Sequence, residues 1–193
     1  VGGVKLVETY TVPKTGYVIG VRHEVFNSTA AVLAPELYLQ LTRDGNKPPG
    51  DSMFYSTFTG PAFYSAEKKY QKVEFKDIAK VNDSEAKFER KTDAGFVAIA
   101  QHYFASAWLP DDANKGQKVS RENFVSNLGQ NLYSAGLKTQ LPMIAPGQHA
   151  TFDSRLFVGP QQEKALEKIY PGLESVKDYG IFTIFAKPLF LLM

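Results

Sequence analysis

The chain has 193 residues, of which 22 are basic and 20 acidic, so that its formal net charge is +2. With hydrophobic residues at 44% it can bury one good core, and the absence of cysteine excludes disulfides, thiolate metal sites and cysteine nucleophiles. The two charge signs are spread along the whole sequence, which excludes the basic surface expected of a nucleic-acid-binding protein.

The first part of the chain alternates apolar and polar residues in three runs between residues 5 and 42, which predicts strands. Residues 13–16 have the composition of a hairpin turn, and a second turn begins at Asn27. We therefore expect an antiparallel meander. The middle strand places alternate side chains on one face: Tyr17, Ile19, Val21, His23 and Val25.

The middle of the chain continues the β character at residues 52–58 and 61–64. Residues 67–80 form the most basic stretch, with apolar residues among the lysines. We interpret it as a solvated edge strand or short helix rather than an anion-binding surface, because lysines on an edge discourage strand pairing. Residues 95–110 are the longest run of low charge before the C-terminal residues 181–193, and they predict a central, buried strand pair.

Three further strands are predicted at residues 124–128, 132–137 and 150–158. The pattern then changes at residue 160, and residues 161–170 predict a helix that ends at Pro171. Its expected apolar face contains Ala165, Leu166, Ile169 and Tyr170. We expect a β-sandwich at residues 1–159 and a helical end at 160–193.

The last residues, 181–193, contain only two clearly polar side chains, Thr183 and Lys187. The run is too short to span a bilayer, which takes about 20 residues. It suits a helix in the membrane interface or one that leads into a span, and the alternative is a C-terminal helix packed on its own domain. The expected membrane-interface residues are Ile181, Phe182, Ile184, Phe185, Lys187, Leu189, Phe190 and Leu192.

Catalytic motifs give little support for an enzyme. The chain lacks the serine nucleophile elbow, the dinucleotide fingerprint and the phosphate-binding loop, and its histidines lack metal-ligand spacing. His102 lies in an apolar run and could act as a general base with Glu24 or Glu36, although a core histidine is the simpler interpretation. Three nearby aromatic residues suit either a sugar platform or the core: Tyr103, Phe104 and Trp108.

Four segments of the sequence contain distinctive motifs: residues 58–75, residues 101–110 with the run Gln-His-Tyr-Phe-Ala-Ser-Ala-Trp-Leu-Pro, residues 156–160, and residues 178–190 with Asp-Tyr-Gly and Pro-Leu-Phe. Together they resemble one known family, the large periplasmic domain of bacterial YidC membrane insertases. The resemblance continues in residues 8–21 and extends in collinear order over essentially the whole chain.

The resemblance implies an antiparallel β-supersandwich, like that of galactose mutarotase, on the periplasmic side of the inner membrane of a Gram-negative bacterium. It implies a module without catalytic residues, metal or cofactor, in a protein that inserts and folds inner-membrane proteins. The implied partners are SecD and SecF, the SecYEG translocon, nascent inner-membrane proteins and the membrane surface. The family's domain begins upstream of Val1, so N-terminal strands are expected to be missing here.

For the partner contact we favour residues 51–91, and within them Lys68, Lys69, Tyr70 and Lys72. Two other functions stay open at this point. One is a carbohydrate-binding or epimerase-type protein, which the implied fold and His102 suggest. The other is a general β-sandwich chaperone that holds translocating segments. Fold alone does not decide among these three functions.

Overall fold

The structure is a computed structural model, and it describes residues 2–48, 57–78, 87–110 and 120–177. Two antiparallel sheets account for most of these residues. The larger sheet contains, in spatial order, β1 (Val4–Thr11), β2 (Val18–Asn27), β11 (His149–Pro160), β8 (Phe104–Pro110), β7 (Phe96–Gln101), β4 (Gly60–Ser65) and β5 (Lys69–Lys72). The smaller sheet contains β3 (Glu36–Asp44), β10 (Leu132–Gln140), β9 (Arg121–Gly129) and β6 (Lys91–Thr92).

The main core lies between the two sheets. Val21 and Phe63 of the larger sheet and Leu39 and Leu137 of the smaller one are buried in a single cluster. Trp108 joins the layers, because its indole N–H donates a hydrogen bond to the main-chain carbonyl of Gln40 at 3.0 Å. The predicted fold class, mainly β with antiparallel sheets and a short helical C-terminal segment, is confirmed.

The opposite face of the larger sheet is covered by two short helical elements, α2 (Glu163–Ile169) and a 3₁₀ helix (Leu173–Val176). Leu166 and Leu173 are buried there against the sheet. Ala165 is exposed, so the predicted apolar face of the helix was wrong at that residue. A 7-residue helix has room for only a narrow buried stripe, and Leu166 occupies it.

The predicted meander is wrong in its third strand. β1 and β2 form the expected hairpin, with Val4 opposite Asn27. β3, however, lies in the smaller sheet and pairs with β10, while the second neighbour of β2 is β11. The turn residues after Asn27 end the strand, but they carry no information on which sheet the chain enters next.

The other predicted elements agree with the structure where it describes them, except that the predicted strand at residues 52–58 does not include residues 57 and 58. Val21, His23 and Val25 of β2 are buried on one face, and Tyr17 at the start of that face is exposed. β7 and β8 pair in the interior of the larger sheet, and the basic stretch forms the edge strand β5 followed by the short helix α1 (Phe75–Ile78). Residues 49–56 lie outside the described residues, and residues 57–59 are not in a strand.

Candidate interaction surface

The predicted partner-contact residues lie along the edge strand β5 and in the turn just before it. Lys68, Lys69 and Lys72 are exposed, whereas Tyr70 is half-buried and packs against the core under α2. Three of the four side chains therefore reach solvent. Tyr70 holds the edge strand to the domain instead.

The turn before β5 presents two of these lysines side by side. The hydroxyl of buried Ser65 accepts a hydrogen bond from the Lys68 N–H at 3.0 Å, and Lys69 has a left-handed backbone with φ of 55°. Lys72 lies three residues further along the strand, which places it roughly 10 Å from Lys69. The lysines therefore form two sites on the edge rather than one patch.

Lys72 borders a cleft of about 510 Å³ that the sequence did not reveal. The ammonium group of Lys72 lies 5.1 Å from the centre of the Phe58 ring, in a cation–π arrangement. Two further lysines line the cleft, Lys47 and Lys76. Glu74 raises the pKa of Lys76 through a side-chain hydrogen bond and through its negative charge. Lys47 is remote from Lys72 in sequence, so only the tertiary fold could reveal this group.

A second cleft, of about 390 Å³, lies beside the turn that carries Lys68. Glu67, Glu89 and Asp93 line it together with Lys91. Within the ranges that the structure describes, no group of three or more His, Asp or Glu side chains is arranged to hold a metal ion. The edge of the domain thus presents lysines with carboxylates next to them.

His102 lies in the turn between β7 and β8, not within a strand. Its Nδ1 is 2.7 Å from the hydroxyl of Thr57, and its ring meets that of Tyr103 edge to face. Glu24 pairs with Thr151, which lies nine positions along β11 from Pro160, the residue opposite Phe104. At ~3.3 Å per residue this separation is roughly 30 Å, so the proposed His102–Glu24 acid–base pair was wrong.

The second possible carboxylate, Glu36, begins β3 opposite Gln140, at the end of the sandwich remote from the β7–β8 turn. Trp108 is a core residue, as its burial and its hydrogen bond to Gln40 show. Tyr103 and Phe104 are exposed and are therefore free to make surface contacts.

One polar network in the structure was not predicted from the sequence. The His23 Nδ1 lies 3.2 Å from a carboxylate oxygen of Glu8, and its Nε2 lies 3.4 Å from the Ser154 hydroxyl. The other Glu8 oxygen accepts a hydrogen bond from Tyr10 at 3.0 Å, which raises the pKa of Tyr10. Ser154 and His23 are both buried, so this Ser–His–Glu arrangement ties β1, β2 and β11 together and offers no nucleophile to a substrate.

The described part of the chain ends at Lys177, whose ammonium group is 3.7 Å from the Glu163 carboxylate. Gly172, with φ of 91°, reverses the chain between α2 and the 3₁₀ helix, and Lys177 thereby returns to the start of α2. All predicted membrane-interface residues, from Ile181 to Leu192, lie outside the described residues. Among the described helices, none combines the length and hydropathy needed to cross a membrane.

Comparison with solved structures gives a distant similarity to a putative aldose 1-epimerase from Escherichia coli K12. The TM-score is 0.43 with 12% sequence identity, over 82% of this chain and 61% of the other. A similarity at this level carries no argument about activity or about a ligand site.

Comparison with known sequences is far more specific. Membrane protein insertase YidC of Janthinobacterium sp. (strain Marseille) is 50% identical over 99% of this chain and 32% of its own length. The proteins of the same name from Cupriavidus metallidurans and Bordetella parapertussis are 49% and 47% identical, over 99% and 100% of this chain. The chain thus spans about a third of the length of these relatives. The family described as YidC periplasmic domain matches residues 1–192, and the chain belongs to that family.

Proposed function

We propose that this chain is the periplasmic β-sandwich of an inner-membrane insertase in a Gram-negative bacterium. The observation that carries the proposal is the family match over residues 1–192, together with relatives about three times as long that are named membrane protein insertases. The chain would work in the periplasm, next to the membrane in which the rest of the protein resides.

Within that protein the module acts without catalysis, as a contact and positioning element. Its buried Ser154–His23 pair stabilises strand pairing. Neither of the two carboxylates considered as partners of His102, Glu24 and Glu36, lies close enough to it for acid–base chemistry. Insertion of nascent inner-membrane proteins, alone or with the SecYEG translocon, then belongs to the whole protein. The residues that perform it lie outside this chain.

The partner contact that we propose is with SecD and SecF, through the edge of β5. Lys68, Lys69 and Lys72 are exposed there, and the neighbouring cleft adds Lys47 and Lys76. Because Glu67 and Glu89 lie close by, the partner should present acidic side chains opposite the lysines and basic ones opposite the second cleft.

Charge reversal on this edge tests the contact. A full-length insertase that carries this chain is given Lys68→Glu, Lys69→Glu and Lys72→Glu together, and we expect the SecF that co-purifies with it to fall about fivefold or more. The matched control reverses three exposed lysines elsewhere, Lys5, Lys164 and Lys168, for the same change in net charge. Unchanged SecF recovery in the first variant, or an equal loss in both variants, would contradict the proposed contact through Lys68, Lys69 and Lys72.

The C-terminal tail, residues 181–193, is the part of the chain that we expect to position the sandwich on the membrane. We propose that Ile181, Phe182, Ile184, Phe185, Leu189, Phe190 and Leu192 lie in the membrane interface, with Lys187 extending to the phosphate layer. This arrangement would hold the sandwich against the periplasmic face of the bilayer. It suits the composition of residues 181–193, which contain only two clearly polar side chains.

A further inference from the structure

Among the residues that the structure describes, seven of the thirteen exposed large apolar side chains lie at one end of the sandwich. β1, β7 and β11 end there, and β2 and β8 begin there. We define the rim as five residues at this end of the larger sheet, each 47–70% exposed: Val12, Tyr17, Tyr103, Phe104 and Val158. The β9–β10 hairpin of the smaller sheet brings exposed Leu128 and Leu132 to the same end of the molecule.

The rim residues lie on adjacent strands. The Val158 N–H donates a hydrogen bond to the Tyr17 carbonyl at 2.9 Å, and Phe104 pairs with Pro160, two residues along from Val158. Directly opposite and diagonal neighbours in a sheet are within reach of aromatic side chains. Val158 and Phe104 therefore share one face of the sheet, whereas the Tyr17 side chain packs over Gly159 on the other face of β11. Tyr103, in the β7–β8 turn, adds a second exposed ring at this end.

The same end is where the chain leaves the described structure. The Gln161 N–H bonds the Tyr103 carbonyl at 2.8 Å, and the Gln161 side-chain amide bonds the Phe104 carbonyl at 3.0 Å, which fixes the start of α2 beside the rim. Lys177 returns to this point through its ion pair with Glu163. The apolar residues 181–193 begin four positions after Lys177 in the sequence.

The composition of the rim favours a lipid surface over a protein partner. Tyr and other aromatic rings prefer the headgroup level of a bilayer, and lysines beside them add attraction to anionic lipids. Exposed Lys14 lies in the turn between Val12 and Tyr17. We propose that the rim docks on the bilayer surface, with its aromatic rings at headgroup level. The inference rests on the proposed membrane-proximal function, and it adds a second contact that the tail does not supply.

Site-specific fluorescence tests the rim and the tail separately, and the absence of cysteine from the chain makes single labels possible. Three variants of the full 193-residue chain, Tyr103→Cys, Phe185→Cys and Met143→Cys, carry an environment-sensitive dye on the new thiol. Met143 is the control, since it is exposed and apolar but precedes β11 at the opposite end. Each is mixed with vesicles of equal parts phosphatidylethanolamine and phosphatidylglycerol.

We expect a blue shift and an emission increase of about twofold or more at positions 103 and 185, with no change at 143. A response at 185 alone would contradict the docking of the rim and support the membrane contact of residues 181–193. A response at 103 alone would support the docking of the rim and contradict that second contact. No response at either position would overturn both. Equal responses at all three positions, or a response at 103 that follows protein concentration without vesicles, would also overturn the rim, because they indicate adsorption or self-association.

An unlabelled variant guards against an effect of the dye. Tyr17→Ser with Phe104→Ser should weaken flotation with the same vesicles about fivefold or more, whereas Val32→Ser with Met143→Ser should leave it unchanged. All four side chains are exposed, so circular dichroism should show the same fold in both variants. Equal flotation of the two variants would contradict the docking of the rim.

Discussion

At the scale of single residues, Gly95 illustrates how tightly the larger sheet is assembled. Its φ of 119° is unfavourable for any other residue, and a Cβ built there would lie 1.8 Å from the Tyr64 carbonyl oxygen. The Gly95 carbonyl also accepts a hydrogen bond from Tyr170, next to the helices. A side chain at this position would therefore force β4 away from the start of β7.

Gly95→Ala should lower the free energy of unfolding by about 3 kcal/mol or more, since both the backbone and its neighbour must move. Gly129→Ala is the matched control: Gly129 has a φ of 83°, but nothing lies within 4 Å of its Cβ position. It should cost about 1 kcal/mol, the backbone penalty alone. Urea unfolding, followed by the fluorescence of buried Trp108, measures the free energy of unfolding of both variants. Equal losses of stability would show that the close approach of Gly95 to the Tyr64 carbonyl does not restrict the residue at position 95.

Sequence reasoning at this scale succeeded for side chains whose position depends on local alternation, such as Val21 and Val25. It failed for pairs that depend on strand order. The suggested His102–Glu24 pair is separated by most of the length of β11, whereas the His23–Glu8 contact went unnoticed although β1 and β2 form the predicted hairpin. Hairpin register follows from turn length, and here it could have indicated that contact.

At the scale of elements, strand existence was predictable and strand partners were not. The residues of β2, β8 and β11 all have the expected β pattern, but β2 pairs with β11 across more than a hundred residues of intervening chain, with Val21 opposite Ser154. No local turn signal encodes such a pairing. The edge position of β5 was the exception, because lysines on a strand mark an edge by a physical mechanism.

The helical C-terminal segment should behave as part of the sandwich. Leu173→Ala removes a fully buried side chain from the core between the 3₁₀ helix and the larger sheet, and should cost about 2–5 kcal/mol in the free energy of unfolding. Exposed Ala165→Ser is the control and should change it by about 0.5 kcal/mol or less. A negligible effect of Leu173→Ala in urea unfolding would indicate instead that residues 160–193 fold separately from residues 1–159.

At the scale of the whole molecule, the domain presents two different surfaces. The edge of β5 carries lysines beside carboxylates, which suits a polar protein partner, and the rim carries aromatic side chains beside the point where the chain leaves the described structure. In a sandwich that stands on the membrane by its rim, the turn with Lys68 and Lys69 would stay available in the periplasm, because it lies at the opposite end of β4 and β5. The cleft that Lys72 borders lies at the rim end, next to the membrane. The family match covers residues 1–192, so both surfaces lie within the matched domain.

The position of the domain on the periplasmic side of the inner membrane is the claim on which both surfaces depend. A cysteine-free insertase that carries this chain receives a single Lys69→Cys substitution, and intact spheroplasts are treated with a membrane-impermeant maleimide. We predict that Cys at position 69 is labelled to the same extent before and after lysis, because Lys69 is exposed at the edge of β5. Labelling that occurs only after lysis would place the domain in the cytoplasm and contradict the account.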